Sequence, residues 1–145
     1  MTSGKPVHVL LVEDDEIDIR AIKRGFSRNH IVNPITEARD GIEALEILRG
    51  ENGQATMPRP YIVLLDLNMP RMNGLEFLEE IRKDPELHDT IVFVLTTSDD
   101  DLDIFSAYQK HVSGYLLKSK VGEDFVHLVG MLKHFVIMVQ LPSHD

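Results

Sequence analysis

The sequence contains no cysteine, is poor in positive charge and has no long hydrophobic run. Without cysteine, a disulfide scaffold, a thiolate metal site and a catalytic thiol are excluded. Lys and Arg number 15 against 24 Asp and Glu, for a formal net charge of -9, so a surface that binds DNA through many phosphates is not expected. No apolar run approaches the roughly 18 residues of a membrane span, and residues 1–6 carry no signal-peptide core. We therefore expect a cytoplasmic protein with no nucleic-acid or membrane partner.

The length and apolar content predict a single domain over residues 1–145. A chain of 145 residues that is 43% hydrophobic can bury one full core. Five apolar runs are too short for helices and are typical of buried strands. They cover residues 7–12, 34–38, 61–65, 91–95 and 114–117.

Helical patterns alternate with these strands. After each run, apolar residues recur at the spacing of one helix face. The positions are Ile17, Ala21, Ile22 and Phe26; Ile42, Leu45 and Leu48; Leu75, Leu78 and Ile81; Leu102, Phe105 and Tyr108; and Val121, Phe125, Leu128, Leu132, Phe135 and Val139. Continuous apolar strands that alternate with helices predict a parallel sheet covered on both faces. The expected fold class is therefore α/β, a doubly wound (β/α)5 domain.

Polar side chains stand where the predicted strands end: Glu13, Asp14, Asp66, Thr96 and Lys118. Because the strands of a parallel sheet end at one edge, these side chains should converge there. Three carboxylates brought together repel one another unless a cation lies among them. An acidic site made of oxygen ligands suits Mg²⁺, which we therefore predict as the cofactor.

The same edge is complementary to a phosphoryl group. Lys118 and a bound metal ion would neutralise phosphoryl oxygens, and the Thr96 hydroxyl would donate to one of them. Asp66 is the best candidate for a nucleophile that forms an acyl phosphate, because Glu13 and Asp14 are better placed as metal ligands. The backbone carbonyl of Asn68 is a further candidate ligand. Each residue alone has an ordinary explanation as a helix-start charge, a helix cap or a surface lysine, and only their joint placement predicts chemistry.

Taken together, these motifs resemble the receiver domain of two-component response regulators over about residues 7–133. The matching segments are Leu10-Leu11-Val12-Glu13-Asp14, Leu64-Leu65-Asp66 with Met69-Pro70 and Asn73-Gly74, Leu95-Thr96, and Gly114-Tyr115 through Lys118. The resemblance implies a flavodoxin-like five-stranded sheet in the order 2-1-3-4-5. It also implies a signalling protein that catalyses only its own phosphorylation and dephosphorylation.

The resemblance assigns roles to individual residues. Asp66 would take the phosphoryl group from the phosphohistidine of a sensor histidine kinase. Asp14 and the Asn68 carbonyl would bind Mg²⁺ directly, and Glu13 would act through water. Thr96 and Tyr115 would be the switch residues that report phosphorylation at the protein surface.

The chain is more closely similar to single-domain regulators paired with bacterial and cyanobacterial phytochromes, so a phytochrome is a candidate kinase. The segments that carry this similarity are Pro58-Arg59-Pro60, Thr96-Thr97-Ser98, Lys118-Ser119 and Val139-Gln140-Leu141-Pro142. Ser119 departs from the wider family, where Pro usually follows the lysine in a cis bond. Either a strained cis bond or a reshaped loop is expected after Lys118.

Two other functions are alternatives to the receiver. A Mg²⁺-dependent phosphohydrolase of the haloacid-dehalogenase kind also uses an Asp at the end of a strand, but it requires a second acid where Asn68 stands. A degenerate receiver that only binds is the other alternative, which the complete set of site residues argues against.

The carboxyl-terminal segment is the last feature of the sequence. Residues 135–141 are apolar on all sides. We predict that residues 134–145 form an extension and that the last helix and this extension make a homodimer contact; the alternative is that the segment folds back on its own domain.

Overall fold

The computed structural model describes residues 7–54, 56–67, 69, 71–96, 112–120, 122, 123 and 125. The strands are β1 (His8–Val12), β2 (Ile35–Ala38), β3 (Tyr61–Asp66), β4 (Val92–Thr96) and β5 (Gly114–Leu117). The helices are α1 (Glu16–Arg28), α2 (Gly41–Arg49) and α3 (Gly74–Lys83), and a 3-10 turn follows at Lys118–Lys120. The predicted fourth helix lies outside the described residues. Of the predicted fifth helix, residues 122, 123 and 125 are described and are helical.

The five strands form one parallel sheet in the order β2-β1-β3-β4-β5, which confirms the predicted fold and strand order. The ends of the strands differ slightly from the prediction. Pro34 precedes β2, and its carbonyl accepts a hydrogen bond from Val9 N at 2.9 Å. Asp66 and Thr96 are the last residues of their strands rather than the first residues after them, because the ladder continues to Asp66 opposite Leu95 and Thr96 opposite Leu117.

Each face of the sheet carries its own apolar core. One face packs against α2 and α3, with Phe77, Leu78 and Ile81 fully buried. The other packs against α1, where the rings of Phe26 and Phe125 lie 4.5 Å apart between centroids. Both faces are therefore covered, as continuous apolar strands require.

The buried face of α1 corrects the predicted pattern. Ile17 is 75% exposed and Ala21 is also exposed, whereas Ile19, Ile22 and Phe26 are buried. The predicted set and the buried set share Ile22 and Phe26, and the residues of both sets recur at helical spacing. Packing against the sheet selects the set with Ile19, whose spacing of three and four residues makes one continuous stripe.

The amino termini of the three described helices are capped by side chains. Asp15 caps α1, Asp40 caps α2, and Asn73 forms a capping box with Glu76 at the start of α3. These helices follow the strands, so their amino termini lie at the edge of the sheet where β1, β2 and β3 end. Among the described residues, no helix is long and apolar enough to cross a membrane.

Candidate functional site

The structure brings the predicted carboxylates together at the carboxyl edge of the sheet. One oxygen from each of Glu13, Asp14 and Asp66 can be chosen so that all three lie within 4.8 Å of one another. The ammonium of Lys118 lies 3.8 Å from Asp66 Oδ2. The first and last of these residues are 105 positions apart in the chain, and the parallel sheet joins them because β1, β3 and β5 end at the same edge.

The other predicted site residues are described only in part. Thr96 ends β4, and its backbone is opposite Leu117. Tyr115 lies in β5 with its backbone opposite Val94. The side chains of Thr96 and Tyr115, and the whole of Asn68, lie outside the described part of the structure, so their predicted roles stay predictions.

Asp66 is held by the loop that leads from β3 to α3. It is the last residue of β3 and is buried. Gly74 N donates to Leu67 O at 3.0 Å, which folds the start of α3 back against the end of the strand. A Cβ on Gly74 would lie 2.6 Å from both Asp66 O and Leu67 Cα. A glycine is therefore needed for this close approach, and it keeps the backbone of Asp66 in place.

Glu13 is the most deeply buried acid of the site. It is fully buried, and its Oε2 accepts from Asp15 N at 3.2 Å. Its Oε1 forms an ion pair with Lys118 Nζ at 2.8 Å but, among the described atoms, has no partner in hydrogen-bond geometry. Burial raises the pKa of Glu13 to about 7; the Lys118 ammonium opposes this, and the nearby charge of Asp66 adds to it. The acidic cluster is thus short of positive charge.

A divalent cation fits this donor set. The three clustered carboxylates supply oxygen ligands, and Glu13 Oε1 is a buried oxygen with unused acceptor capacity. Mg²⁺ and Mn²⁺ both prefer carboxylate, carbonyl and water oxygens. Glu13, Asp14 and Asp66 are the residues that would hold such an ion directly or through water.

Lys118 has a partner that the sequence analysis missed. Its ammonium lies 2.8 Å from Asp18 Oδ2, as close as it lies to Glu13 and closer than to Asp66. Burial lowers the pKa of Lys118, but the contacts with Asp18 and Glu13 outweigh this effect, so the pKa is raised overall. Asp18 is in the first turn of α1, where an acid is normally explained by the helix dipole. The sequence did contain a signal for this contact: Asp18 lies one helical turn after Glu13 and Asp14, at the same edge of the sheet.

The chain after Lys118 continues as the 3-10 turn Lys118–Lys120. The peptide bond Arg59–Pro60 is cis. The choice between a strained cis bond and a reshaped loop after Lys118 stays a prediction.

Comparison with known proteins identifies the family. The model of the response regulator receiver domain matches residues 9–129. The chain belongs to this family. It is 36% identical to response regulator Rcp1 of Synechocystis sp. over 142 residues, which cover 97% of each chain.

Solved structures agree with this assignment. The phosphorylated cyanobacterial phytochrome response regulator RcpA is 37% identical, with a TM-score of 0.72, and the match covers 90% of this chain and 94% of that one. The Mn²⁺-bound form of Rcp1 is 36% identical, with a TM-score of 0.68 and the same shares covered. The predicted resemblance to single-domain phytochrome regulators is thus confirmed.

This family assignment decides between the functions that the sequence left open. The chain is a receiver domain with the role of a two-component response regulator. The family is a signalling family, and the haloacid-dehalogenase alternative finds no support in it.

Proposed function

We propose that the protein accepts a phosphoryl group on Asp66 from a sensor histidine kinase, with a phytochrome as the kinase of first choice. The observation that carries the proposal is the position of the Asp66 carboxylate, which lies among two further acids and 3.8 Å from the Lys118 ammonium. An acid at the centre of such a cluster is equipped both to attack phosphorus and to have the resulting charge neutralised. The similarity to regulators named for phytochromes supports the choice of kinase.

The reaction exchanges one bond to phosphorus for another. A carboxylate oxygen of Asp66 attacks the phosphorus of the kinase phosphohistidine, the P–N bond breaks, and the imidazole leaves with its electron pair. The Lys118 ammonium is close enough to donate to a phosphoryl oxygen once the group is on Asp66. The product is an aspartyl phosphate, and its hydrolysis by water would return the receiver to its starting state.

The proposed cofactor is Mg²⁺, held by Glu13, Asp14, Asp66 and the backbone oxygen of Asn68. When bound, it would neutralise the acidic cluster and the phosphoryl oxygens. The buried Glu13 oxygen without a hydrogen bond and the clustered carboxylates support this assignment. The Mn²⁺-bound form of the relative Rcp1 supports a divalent cation in this family.

Thr96 and Tyr115 are the proposed switch residues. Thr96 is at the end of β4 and Tyr115 is within the neighbouring strand β5, which leads directly into Lys118. A hydroxyl at the end of β4 that binds the new phosphoryl oxygens would change the surface next to β5. The signal would then pass to a partner through this changed surface.

We further propose a cytoplasmic protein that acts as a homodimer, with no enzymatic turnover beyond its own phosphorylation and dephosphorylation. Residues 134–145 lie outside the described residues, so the dimer contact rests on their apolar sequence. The single domain over residues 1–145 likewise remains a proposal.

The test is phosphorylation of the Asp66→Asn variant, since the amide keeps the shape of the side chain and loses the nucleophile. With radiolabelled phosphorylated kinase or an acyl phosphate donor, we expect stoichiometric, acid-stable and base-labile labelling of the native protein and none of the variant. Asp89→Asn is the matched control, because Asp89 is exposed and precedes β4 at the opposite edge of the sheet. Undiminished labelling of Asp66→Asn at the same peptide would reject the proposal.

A further inference from the structure

The sequence contains the dipeptide Asn-Gly twice, and the structure places the two copies in different surroundings. Asn52-Gly53 lies in an exposed turn after α2, whereas Asn73-Gly74 forms the start of α3. In an Asn-Gly pair the backbone nitrogen of the glycine can reach the amide carbon of the asparagine side chain, because glycine carries no side chain that hinders the approach and its backbone rotates freely. The two pairs therefore share one intrinsic reactivity and differ in what the fold does to it.

The turn that holds Asn52-Gly53 is open to solvent. Gln54 N donates to Glu51 O at 2.9 Å, which closes a turn with Asn52 and Gly53 at its centre. Both central residues have positive φ, 52° and 79°, as in a type I′ turn. A Cβ on Gly53 would have no atom within 4 Å, and Gly53 N donates no hydrogen bond among the described residues. The nitrogen of Gly53 is thus accessible to hydroxide and to water.

The pair Asn73-Gly74 is held by hydrogen bonds on both residues. Gly74 is buried, and its N donates to Leu67 O at 3.0 Å. Asn73 Oδ1 accepts from Glu76 N at 2.9 Å, and Glu76 Oε1 accepts from Asn73 N at 3.0 Å. These bonds must open before Gly74 N can turn towards the Asn73 side chain. The fold therefore protects the pair that adjoins the loop after Asp66.

We propose that Asn52 is a site of spontaneous deamidation and that the capping of α3 protects Asn73 from the same reaction. Gly53 N loses its proton to hydroxide and attacks Asn52 Cγ. The new N–C bond forms, the Cγ–Nδ2 bond breaks, and ammonia leaves with a proton taken from water. Water then opens the cyclic imide at either carbonyl carbon and gives aspartate or isoaspartate. Nothing is oxidised or reduced, and water is the co-reactant.

The modification changes the charge at the carboxyl-terminal end of α2. Asn52 Nδ2 donates to Glu46 Oε2 at 2.6 Å, and Glu51 N donates to Glu46 O at 2.8 Å. Deamidation removes the side-chain donor and leaves a carboxylate next to Glu46, where like charges repel and the helix dipole is also negative. Isoaspartate in addition lengthens the main chain within the turn.

The first experiment incubates the folded native protein at mildly alkaline pH and follows each Asn-Gly pair by peptide mapping with mass spectrometry. Digestion at mildly acidic pH in heavy-oxygen water marks any deamidation that occurs during the digestion itself. We expect Asn52 to deamidate at least about ten-fold faster than Asn73, because the cap of α3 must open first. The product at Asn52 should be a mixture of aspartate and isoaspartate. Equal rates at the two positions, or aspartate without isoaspartate at Asn52, would overturn the proposal.

Asn52→Gln is the matched control, because the longer side chain keeps the amide and does not close the same five-membered ring. Isoaspartate in this variant, detected with an isoaspartyl methyltransferase, should fall to the background; an unchanged amount would place the reaction elsewhere and contradict the assignment. The second experiment repeats the incubation of the native protein in urea that unfolds it. We expect Asn52 and Asn73 to deamidate at similar rates there. If Asn73 stays protected in urea, the protection does not come from the capping of α3 and the proposal fails.

Discussion

Asp14 differs from the other two clustered acids in its exposure. Glu13 and Asp66 are buried, whereas Asp14 is exposed and contributes little to the packing of the domain. A substitution at Asp14 can therefore remove a proposed metal ligand with little effect on the fold. Glu13 is less suitable for this purpose, because it also holds Lys118 and the backbone of Asp15.

We predict that Asp14→Asn lowers the affinity for Mg²⁺ at least about ten-fold, equivalent to about 1.4 kcal/mol. The variant replaces a hard anionic oxygen with a neutral amide, and Mg²⁺ depends on few protein carboxylates. Titration calorimetry with Mg²⁺ gives the affinity. Asp15→Asn is the control, since Asn caps a helix as well as Asp does. An unchanged affinity in Asp14→Asn would remove this residue from the ligands.

At the scale of elements, the start of α2 holds the loop between β3 and α3. The Arg71 guanidinium donates to Asp40 Oδ2 at 2.6 Å, while Oδ1 of the same side chain accepts from Glu43 N and caps α2. Gly41 N donates to Met72 O at 3.0 Å. A Cβ on Gly41 would lie 2.6 Å from Met72 Cγ, so α2 and the loop fit closely only with glycine here. This loop begins directly after Asp66, so the contact also supports the site.

We predict that Asp40→Asn destabilises the domain at neutral pH and that the difference shrinks in acid. Burial raises the pKa of Asp40, but Arg71 and the α2 backbone outweigh it, so the pKa of this carboxyl is below its usual value. A lowered pKa in the folded state stabilises the domain above the ordinary carboxyl pKa, about 3.9. That stabilisation is lost as the pH falls through the lowered value. Asn keeps the cap and loses the charge.

The measurement is urea unfolding of the native protein and Asp40→Asn at a series of pH values from 7 downward. The gap between their free energies of unfolding should be complete at pH 7 and should narrow as the pH falls below about 4. A gap that stays constant over this range would show that the charge of Asp40 does not stabilise the fold.

At the scale of the whole molecule, the question is what buries the apolar carboxyl-terminal segment. Residues 135–141 include six large apolar side chains, whose complete burial is worth on the order of 10 kcal/mol at about 1.5 to 3 kcal/mol each. A two-fold interface would receive this from both subunits, against an association cost of roughly 4 to 15 kcal/mol. The free energy gained by burial in two subunits exceeds this association cost, which favours a homodimer over a monomer that leaves the segment exposed to solvent.

We predict that Phe135→Asp combined with Val139→Asp gives a folded monomer, because unpaired charges in an apolar interface are costly on both subunits. Sedimentation of native and variant protein over a range of concentrations measures the change. We expect phosphorylation to shift the native dimer constant, with a coupling of about 1 to 3 kcal/mol. A native monomer at high concentration would contradict the dimer, and a variant that unfolds would indicate that the segment completes its own domain.

The sequence by itself determined the fold class, the strand order implied by the resemblance, and the convergence of Glu13, Asp14, Asp66 and Lys118. These follow from local pattern and from one topological rule, because apolar runs predict strands and parallel strands end at one edge. Identifying the polar residues at those ends therefore sufficed to predict that these four side chains meet.

Only the tertiary structure decided which face of α1 is buried, how the chain continues after Lys118, and which acids hold the lysine. Ile17 and Ile19 both fit a helical period, and contact with the sheet selected Ile19. Asp18 and Lys118 are separated by 100 positions. A contact of 2.8 Å between them depends on how α1 packs beside β5, because packing of distant elements, and not local spacing, sets which side chains meet.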